Sequence, residues 1–534
     1  MTEKFSRSGI PLRQFYSGDD SACVNYARDL GNPGDFPYTR GRRADLYDAE
    51  GWIQRELSGE GDPARSNEQL KYLISQGQMG IDIIGDSPTM AMMDPDHPLA
   101  AQAVGTQGVS LCCLDDYRQL YRDLPLDRIS VSGSLPPTLA LAGLYLVGRE
   151  NNLSPAKLRG SVLQTPFYAE DCCYAVHLPS RLRLRLAADS VEFCSREMPR
   201  FHSFVEDTYF FSESGLNVVE EMALGFIEIR HLIREVLKRG VDIDSFAPRI
   251  AILVNCSLDF FEEVAKLRAT RRLFARMMKE EFGAKDPRSW AVVLTSHTSG
   301  LSLTAQQPFN NIVRGAIQTL CLVLGGVQAI EISAFDEAYR TPTPESHLVG
   351  LRTQQVVHLE TGVAQVSDPL GGSYYVEALT RQVEERILEM VRNIEARGDP
   401  ADLSEQGWFR NFFHDAMERY VRRINDGDLK VVGNNIFRIP PEEDTMLKEV
   451  AEKKIEPCRE HIDRIREYKR RRDLGPVKQS LRRLLEAGRS ERENLIQPII
   501  EATAAGATLG EIAGTLRLAY HQPYDPHGLT ESLI

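Results

Sequence analysis

Three consecutive segments decide the fold: the apolar run RIAILVN (249–255), the longer stretch DFFEEVAKLRATRRLFARMMKEEFG (259–283) and a second apolar run, AVVLTSH (291–297). The two short runs predict strands, and the stretch between them predicts a helix because its apolar residues recur at helical spacing. That helical face is approximated by Phe260, Val264, Leu267 and Leu273. A strand, a helix and a second strand in succession indicate a parallel sheet.

The same alternation extends in both directions, from about residue 46 to about residue 375. Further strand candidates are GIDIIGD (80–86), RISVSGS (128–134) and AIEIS (329–333). Many strand–helix units without a GxGxxG motif favour a closed barrel over an open dinucleotide-binding sheet. The sequence therefore predicts an α/β fold in which residues 46–375 form a (β/α)8 TIM barrel that binds the substrate.

Two segments with a different sequence pattern flank the predicted barrel. Residues 1–45 read as an irregular N-terminal extension, and residues 376–534 as a helical linker or partner-docking region. The second segment contains the basic run Lys469–Arg472, which has acidic residues on both sides. Charge patterning favours a solvated helix face or a partner-docking surface here over a nucleic-acid patch.

Composition narrows the class of protein. A formal net charge of -13 argues against general binding to nucleic acid or to an anionic membrane surface, because both require a concentrated basic surface. The nine cysteines show no CxxC spacing, which predicts reduced thiols and no metal site. The N-terminal MTEKFSRSGIPLRQ lacks the apolar core of a signal peptide, so a cytoplasmic location is expected.

Long blocks of the chain follow, in the same order, the sequence of a known enzyme family. They include FPYTRG (36–41), SNEQLKYLISQGQMGIDIIGDSPT (66–89), FAPRIAILVN (246–255), HTSGLSLTAQQPFNNIVRGAIQTL (297–320), LRTQQVVHLETGVAQVSDPLGGSYYVEALT (351–380) and ATAAGATLGEIAGTL (502–516). On these motifs the chain resembles the coenzyme-B12-dependent acyl-CoA mutases, among them the methylmalonyl-, isobutyryl-, ethylmalonyl- and 2-hydroxyisobutyryl-CoA mutases. The resemblance covers nearly the whole chain.

The family resemblance implies an isomerase that uses adenosylcobalamin for a radical 1,2-rearrangement of an acyl-CoA threaded through the barrel. The family's cobalamin domain carries a DxHxxG motif whose histidine binds cobalt. The nearest match is DPHGLT (525–530), which has Thr530 in place of the last glycine. The resemblance therefore predicts a separate, small cobalamin-binding subunit as partner, in a heterodimer or heterotetramer.

The resemblance also assigns residues to the cofactor and to CoA. On the cofactor side, Glu337 matches a glutamate that binds the adenosyl ribose. The cofactor-binding residues expected from the motifs are Glu337, Ser333, Glu213 and Gly300, and the CoA-binding residues are Arg268, Thr270 and Arg40.

The chain departs from the family pattern at the reacting centre. Active members carry a Tyr–His pair in GYHxxEAG, whereas this chain has Tyr209 followed by Phe210. A phenyl ring cannot donate the hydrogen bond that the histidine gives to the thioester carbonyl. His297, in a segment where the family has glutamine, is the remaining candidate near that carbonyl. A structural histidine at the end of a strand is an equally good interpretation of His297.

The departures continue among the residues that gauge the acyl group. An aromatic position of the family falls on Met93, which fits a reshaped pocket, although core filling explains this residue as well. A glutamine and a carboxylate-binding arginine of the family fall near Gln164 and at Cys173. Because a buried carboxylate needs a charged partner, loss of the arginine argues against methylmalonyl-CoA as the substrate.

Two functions follow from this combination of a retained scaffold and a changed centre. The first is the large subunit of an adenosylcobalamin-dependent mutase that acts on an atypical acyl-CoA, bulky or aromatic. The alternative is a catalytically inactive paralogue that serves as a binding or regulatory partner.

Overall fold

The computed structural model describes residues 4–47, 50–173, 176–452 and 455–534. The chain forms two compact units: unit 1 comprises Met1–Glu56 and Glu206–Lys453, and unit 2 comprises Leu57–Val205 and Lys454–Ile534. Each unit is thus assembled from two segments that are distant in sequence. The predicted division into residues 1–45, 46–375 and 376–534 concerns the role of each segment and stays a prediction.

Nine strands of the described chain form one sheet: β1 (Ile53–Arg55), β2 (Leu57–Ser58), β3 (Gly80–Ile84), β4 (Ser130–Ser134), β5 (Arg159–Gln164), β6 (Phe201–Asp207), β7 (Ile250–Cys256), β8 (Val293–Thr298) and β9 (Ala329–Glu331). Their order is β1-β9-β8-β7-β6-β5-β4-β3-β2. The two ends of this order, β1 and β2, are halves of one segment interrupted only at Glu56. This topology confirms the predicted α/β fold of the (β/α)8 TIM type, and each of the five strand candidates is a strand.

The helices of unit 1 follow or flank its strands. They are Tyr209–Glu213, Val218–Lys238, Ile243–Phe246, Phe260–Arg276, Pro287–Trp290, Asn310–Gly325, Pro344–Glu360, Tyr374–Glu395, Pro400–Glu405, Trp408–Asn425 and Thr445–Glu452. The helix predicted after the strand candidate RIAILVN (249–255) is therefore Phe260–Arg276, continued by one π-helical turn at Met277–Glu281. The N-terminal extension adds a short antiparallel hairpin, Lys4–Phe5 with Pro11–Leu12.

The helices of unit 2 are Pro63–Ser75, Ser87–Met90, Leu114–Leu120, Pro137–Glu150, Ala169–Cys172, Ser180–Glu197, Arg459–Arg471, Leu474–Arg489, Ile496–Ala504 and Leu509–Ala519. C-terminal residues such as Val477, Leu481 and Ile499 lie in the same apolar core as Ile83 and Val131 of the strands. The C-terminal helices of unit 2 are therefore part of its core. Within the described chain, no helix is both long and apolar enough to cross a membrane.

The basic run at the end of Arg459–Arg471 is neutralised within unit 2. Lys469 Nζ lies 2.8 Å from Asp94 Oδ2 and 2.7 Å from Asp96 Oδ1. Arg470 and Arg471 pair with Glu467, and Arg472 pairs with Glu511. All four cations of the run are therefore used in ion pairs within the chain.

The register of the strands in unit 1 aligns three charged residues in one row. In β8 and β9, His297 is the lateral neighbour of Glu331, and in β9 and β1, Glu331 is the lateral neighbour of Arg55. Lateral neighbours in parallel strands lie at the same height along the sheet. Because side chains alternate between the two faces with a period of two, such neighbours also point to the same face.

A buried lysine ties the helices of unit 1 to the end of β7. Lys266 is fully buried, and its Nζ lies 2.9 Å from Glu221 Oε2 and 2.6 Å from Glu263 Oε2. It also donates to the Asn255 carbonyl oxygen at 2.7 Å. Burial raises the pKa of Glu221 to about 7, although the positive charge of Lys266 opposes that rise. Without this lysine, two buried carboxylates would face each other.

We predict that Lys266→Met lowers the free energy of unfolding by about 3–5 kcal/mol, because removing one partner of a buried ion pair leaves uncompensated charge. Urea denaturation measures this loss. Lys238→Met, which removes an exposed lysine from the helix Val218–Lys238, serves as control and should change stability by less than about 0.5 kcal/mol. Equal effects of the two substitutions would contradict the role given to Lys266.

Candidate functional site

The candidate site lies at the carboxyl ends of the strands in unit 1. The helix Tyr209–Glu213 begins two residues after β6, and the loop Ser299–Leu301 directly follows β8. Ser333 and Glu337 follow β9. In a parallel barrel these ends share one face, which is the face that carries the active site in TIM-barrel enzymes.

The Glu213 carboxylate is fixed by three hydrogen bonds. Its Oε1 accepts from Asn255 Nδ2 and from Ser299 Oγ, both at 2.7 Å, and its Oε2 accepts from the Leu301 amide at 2.7 Å. Burial raises the pKa of Glu213, although these hydrogen bonds oppose the rise. The carboxylate thus connects the ends of β7 and β8 and sets the path of the loop.

Gly300 allows the loop to approach this carboxylate closely. A Cβ atom added at Gly300 would lie 3.0 Å from Glu213 Oε2 and 3.3 Å from the Tyr209 hydroxyl oxygen. Burial raises the pKa of the Tyr209 hydroxyl and the negative charge of Glu213 raises it further, while the nearby side chain of Ser333 opposes the rise. Ser333 is held in turn by the end of β8, since its Oγ donates to the Thr298 carbonyl oxygen at 2.7 Å.

Glu337 adds a second carboxyl group to this cluster. Burial raises the pKa of Glu337 to about 8, and the negative charge of Glu213 acts in the same direction, while the backbone at Ala334 and the side chain of Ser333 oppose the rise. At neutral pH the Glu337 carboxyl is therefore mostly protonated and can donate as well as accept a hydrogen bond. We name Tyr209, Glu213, Gly300, Ser333 and Glu337 the carboxyl cluster.

His297 lies beside the carboxyl cluster and is supported by the charged row. Its ring is 5.0 Å from the Tyr209 ring in an edge arrangement, and its Nε2 lies 2.5 Å from Glu331 Oε2. Glu331 Oε1 lies 3.3 Å from Arg55 Nε, and Arg55 Nη2 donates to Thr295 Oγ1 at 3.0 Å. Sequence reasoning missed Arg55 and Glu331. The signal at Glu331 is a charged residue in an otherwise apolar strand, whereas Arg55 follows Gln54 and precedes Glu56, so that its strand gives no such signal.

Phe210 lies next to the carboxyl cluster without a polar contribution to it. Its ring is 5.4 Å from the ring of Tyr209, and the side chain is partly exposed. The structure thus brings together the residues expected at the catalytic and cofactor positions: Tyr209, Phe210, Glu213, His297, Gly300, Ser333 and Glu337.

The residues expected to bind CoA form a second group in unit 1, around Asp368. Arg268 is fully buried; its Nη1 lies 2.5 Å from Asp368 Oδ1 and its Nη2 lies 2.5 Å from Glu377 Oε1. Arg40 Nε lies 2.9 Å from Asp368 Oδ2. Thr270 is buried, and its Oγ1 has no hydrogen-bond partner in the part of the chain that is described. Both guanidinium groups are thus engaged with carboxylates of the chain.

The three expected acyl-pocket residues belong to unit 2. Gln164 is buried at the end of β5, where its Nε2 donates to the Ser203 carbonyl oxygen at 2.6 Å. Met93 is partly exposed and its amide donates to the Pro88 carbonyl oxygen at 2.8 Å. Cys173 is partly exposed as well, and its Sγ lies 3.2 Å from Cys172 Sγ.

The segment DPHGLT (525–530) forms a turn centred on Asp525. The Asp525 carboxylate accepts from the amides of His527, Leu529 and Thr530 at 2.8–2.9 Å. His97 Nε2 lies 3.1 Å from Asp525 Oδ2. These bonds hold the pKa of Asp525 well below its usual range, against the effect of burial. The side chain therefore serves a local structural role.

A parallel α/β barrel with a buried carboxyl cluster at its strand ends defines a TIM-barrel enzyme scaffold. The family model for methylmalonyl-CoA mutase matches residues 5–522, and the chain belongs to this family of cobalamin-dependent mutases. This confirms the resemblance seen in the sequence motifs.

Characterised relatives agree with this membership. The chain is 36% identical over 519 residues to the 2-hydroxyisobutanoyl-CoA mutase large subunit of Aquincola tertiaricarbonis, covering 96% of this chain and 92% of that one. It is 34% identical over 519 residues to the methylmalonyl-CoA mutase of Rhizobium meliloti (strain 1021), covering 96% of this chain and 72% of that one. For the methylmalonyl-CoA mutase of Escherichia coli (strain K12) the identity is 33% over 532 residues, covering 98% and 73%.

We predict a pH-dependent stability effect of Glu337→Gln. A carboxyl whose pKa rises on folding contributes stability at low pH, and that contribution is lost as the pH rises from about 4.5 to about 8. The variant has no such loss. As the pH rises through this window, the free energy of unfolding of the variant should therefore increase relative to that of the natural chain, by at most about 1.4 kcal/mol per pH unit.

Urea denaturation at pH values about one unit apart, from about 5 to about 8, measures this difference. Glu389→Gln removes an exposed carboxyl from the helix Tyr374–Glu395 and is the matched control. The assignment fails if the two variants gain stability with the same slope.

Proposed function

We propose that this chain is the large, substrate-binding subunit of an adenosylcobalamin-dependent acyl-CoA mutase. The observation that carries the proposal is the carboxyl cluster, in which the residues expected to face the cofactor converge from the ends of neighbouring strands. The relatives at 34% and 33% identity are methylmalonyl-CoA mutases, and the one at 36% is a large subunit. A cytoplasmic location is part of the proposal.

The carboxyl cluster suits the adenosyl group of the cofactor. Glu337 and Ser333 together offer donors and acceptors for ribose hydroxyls, and Gly300 lets the loop after β8 lie close to Glu213 and Tyr209. Adenosylcobalamin supplies radical chemistry when bound, through homolysis of its cobalt–carbon bond. The chain's own residues then orient the substrate and exclude water from the reacting atoms.

A separate subunit is proposed to hold most of the cobalamin. The name of the Aquincola tertiaricarbonis relative, a large subunit, supports this arrangement. The engagement of Asp525 in a local turn supports it too, because that carboxylate already accepts hydrogen bonds from its own segment. The partner is a small cobalamin-binding subunit, in a heterodimer or heterotetramer.

His297 is proposed to polarise the thioester carbonyl, the task that Phe210 cannot perform. Glu331 Oε2 lies 2.5 Å from His297 Nε2 and orients the ring, whose N–H is the donor offered to the carbonyl. Arg55 holds Glu331 from the other side. Glu331 and Arg55 are therefore positioning residues, and Tyr209 packs against the ring edge of His297.

The substrate is proposed to be an acyl-CoA without a free carboxylate, with a bulky or aromatic acyl group. Cys173 and Met93 supply a soft, uncharged lining where the family has an arginine and an aromatic residue. Gln164 adds one amide in unit 2. For CoA we propose Arg40 and Thr270 as contacts, with Arg268 fixing Asp368 behind Arg40.

An inactive paralogue is the second candidate, and Phe210 favours it because the family's carbonyl donor is lost there. The two candidates differ in a mixing experiment with a cognate cobalamin subunit, adenosylcobalamin and a panel of acyl-CoAs. We expect cobalt–carbon homolysis, seen in the absorption spectrum, and an isomeric product for a bulky or aromatic acyl-CoA. No homolysis with any acyl-CoA, and none with Phe210→His, would establish the inactive paralogue.

We predict that His297→Phe lowers kcat about 100-fold on the active acyl-CoA, because one charge-stabilising donor is removed from the reacting carbonyl. Glu331→Gln should lower kcat less and alter the pH–rate profile, since it replaces the carboxylate that orients His297 and leaves the imidazole in place.

Steady-state kinetics of the assembled complex measure both effects. His414→Phe, at an exposed position of the helix Trp408–Asn425, is the control and should leave kcat unchanged. A rise in KM with unchanged kcat for His297→Phe would place His297 in CoA binding and contradict the proposed role.

A further inference from the structure

Unit 1 contains a cavity of about 780 Å³ beside the candidate site. Its walls are the loops that follow β7 and β8, the first turns of Asn310–Gly325, the end of Trp408–Asn425 and residues 429–434. None of the residues to which a catalytic or substrate role was given above lines it. A cavity of this size is typical of sites for small organic ligands.

The cavity is positively charged although the chain as a whole carries a formal charge of -13. Four cationic residues line it, and Asp259 is the single acidic residue among the lining residues of the described chain. The cations are Arg7, Arg314, Arg423 and Lys430. None of the four forms an ion pair with another described residue. Apart from the longer-range attraction of Arg7 to the carboxylates of Asp259 and Glu213, their charge is therefore left to solvent or to a ligand.

Arg314 is the most deeply buried of the four cations, with 8% of its surface exposed. Its Nη1 donates to Thr304 Oγ1 at 2.8 Å and to Asn311 Oδ1 at 2.6 Å, and its Nη2 donates to the Val432 carbonyl oxygen at 2.7 Å. These neutral acceptors fix the guanidinium without neutralising it. Burial lowers the pKa of Arg314, as expected for a cation without a counter-ion.

Arg271 shows that burial without a counter-ion does not by itself make an arginine a ligand-binding residue. It is also buried and also bonded to carbonyl oxygens only, those of Tyr38, Thr39, Gly325 and Gly326. Arg271 does not line the cavity, and its role is to hold the N-terminal segment. Arg314 differs because it lines an open space together with three further cations.

The remaining lining provides an apolar and aromatic wall. Tyr420 lies under the Arg7 guanidinium, whose Cζ is 5.2 Å from the ring centroid. Arg423 Nη1 donates to the Arg7 carbonyl oxygen at 3.3 Å, so the N-terminal segment is held at the cavity. The apolar side chains include Leu258, Leu301, Leu303, Val313, Ile424 and Val432. Guanidinium forks match phosphate oxygens, and such a wall suits an organic group attached to them.

We propose that this cavity binds a small organic phosphate carrying two or three negative charges. The charge of the ligand follows from four cations against one carboxylate, and its size follows from the cavity volume. The proposal is independent of the reaction proposed above, because neither the carboxyl cluster nor the proposed CoA contacts Arg40 and Thr270 line this cavity.

Binding of pyrophosphate and of ADP to the full chain, measured by isothermal titration calorimetry without cofactor, tests the proposal. Arg314→Gln should raise Kd about tenfold or more, since a hydrogen bond to a charged group contributes about 1.5–3 kcal/mol. Lys430→Gln removes an exposed cation that Arg314 does not need for packing, and it should raise Kd severalfold without loss of stability.

Arg422→Gln is the matched control, because Arg422 is exposed beside Arg423 and does not line the cavity. Tighter binding of ADP than of pyrophosphate would show that the apolar wall holds the nucleoside, and equal binding would show that phosphate alone is recognised. The proposal is overturned if neither probe binds at millimolar concentration, if Arg422→Gln weakens binding as much as Lys430→Gln, or if adenosylcobalamin displaces the probe.

Discussion

The lateral register of β1, β9 and β8 is the constraint on which the site depends. Backbone hydrogen bonding aligns Arg55, Glu331 and His297 in one row, so that the Glu331 carboxylate lies between Arg55 on one neighbouring strand and His297 on the other. A slip of one residue in any of these strands would turn one member of the row to the other face of the sheet. It would also break the placement of His297 beside Tyr209. The same strand register is thus required both for the pairing of the sheet and for the electrostatics of the site.

In the carboxyl cluster, the cost of burying two carboxyl groups close together is met in two different ways. Two carboxyl groups, Glu213 and Glu337, lie in a partly buried region, where each raises the cost of ionising the other. Glu213 is compensated by three hydrogen bonds, whereas Glu337 responds by a raised pKa. The result is a pair with different proton affinities at neutral pH, one better suited to accept and the other able to donate.

Strand–helix alternation was sufficient to predict the barrel, because buried parallel strands are short apolar runs that periodicity detects. Family motifs were sufficient to predict which residues meet in the carboxyl cluster. The charged row could not be predicted in this way, since it depends on which strands are neighbours and on their register. The pairing of Arg268 with Asp368 and Glu377 joins residues about a hundred positions apart, so no local pattern reports it. The cationic cavity likewise combines residues from six separate segments.

The interleaving of the two units has a consequence for how the chain is made. β1 is synthesised early, yet its partner β9 lies more than half the chain's length further on, and unit 2 likewise needs helices from the C-terminal end. At about 5–20 residues per second, the edge of β1 stays unpaired for some tens of seconds during translation. Such an exposed strand edge is a template for wrong pairing. Production of this protein should therefore be sensitive to chaperone supply and translation speed, whatever the stability of the finished fold.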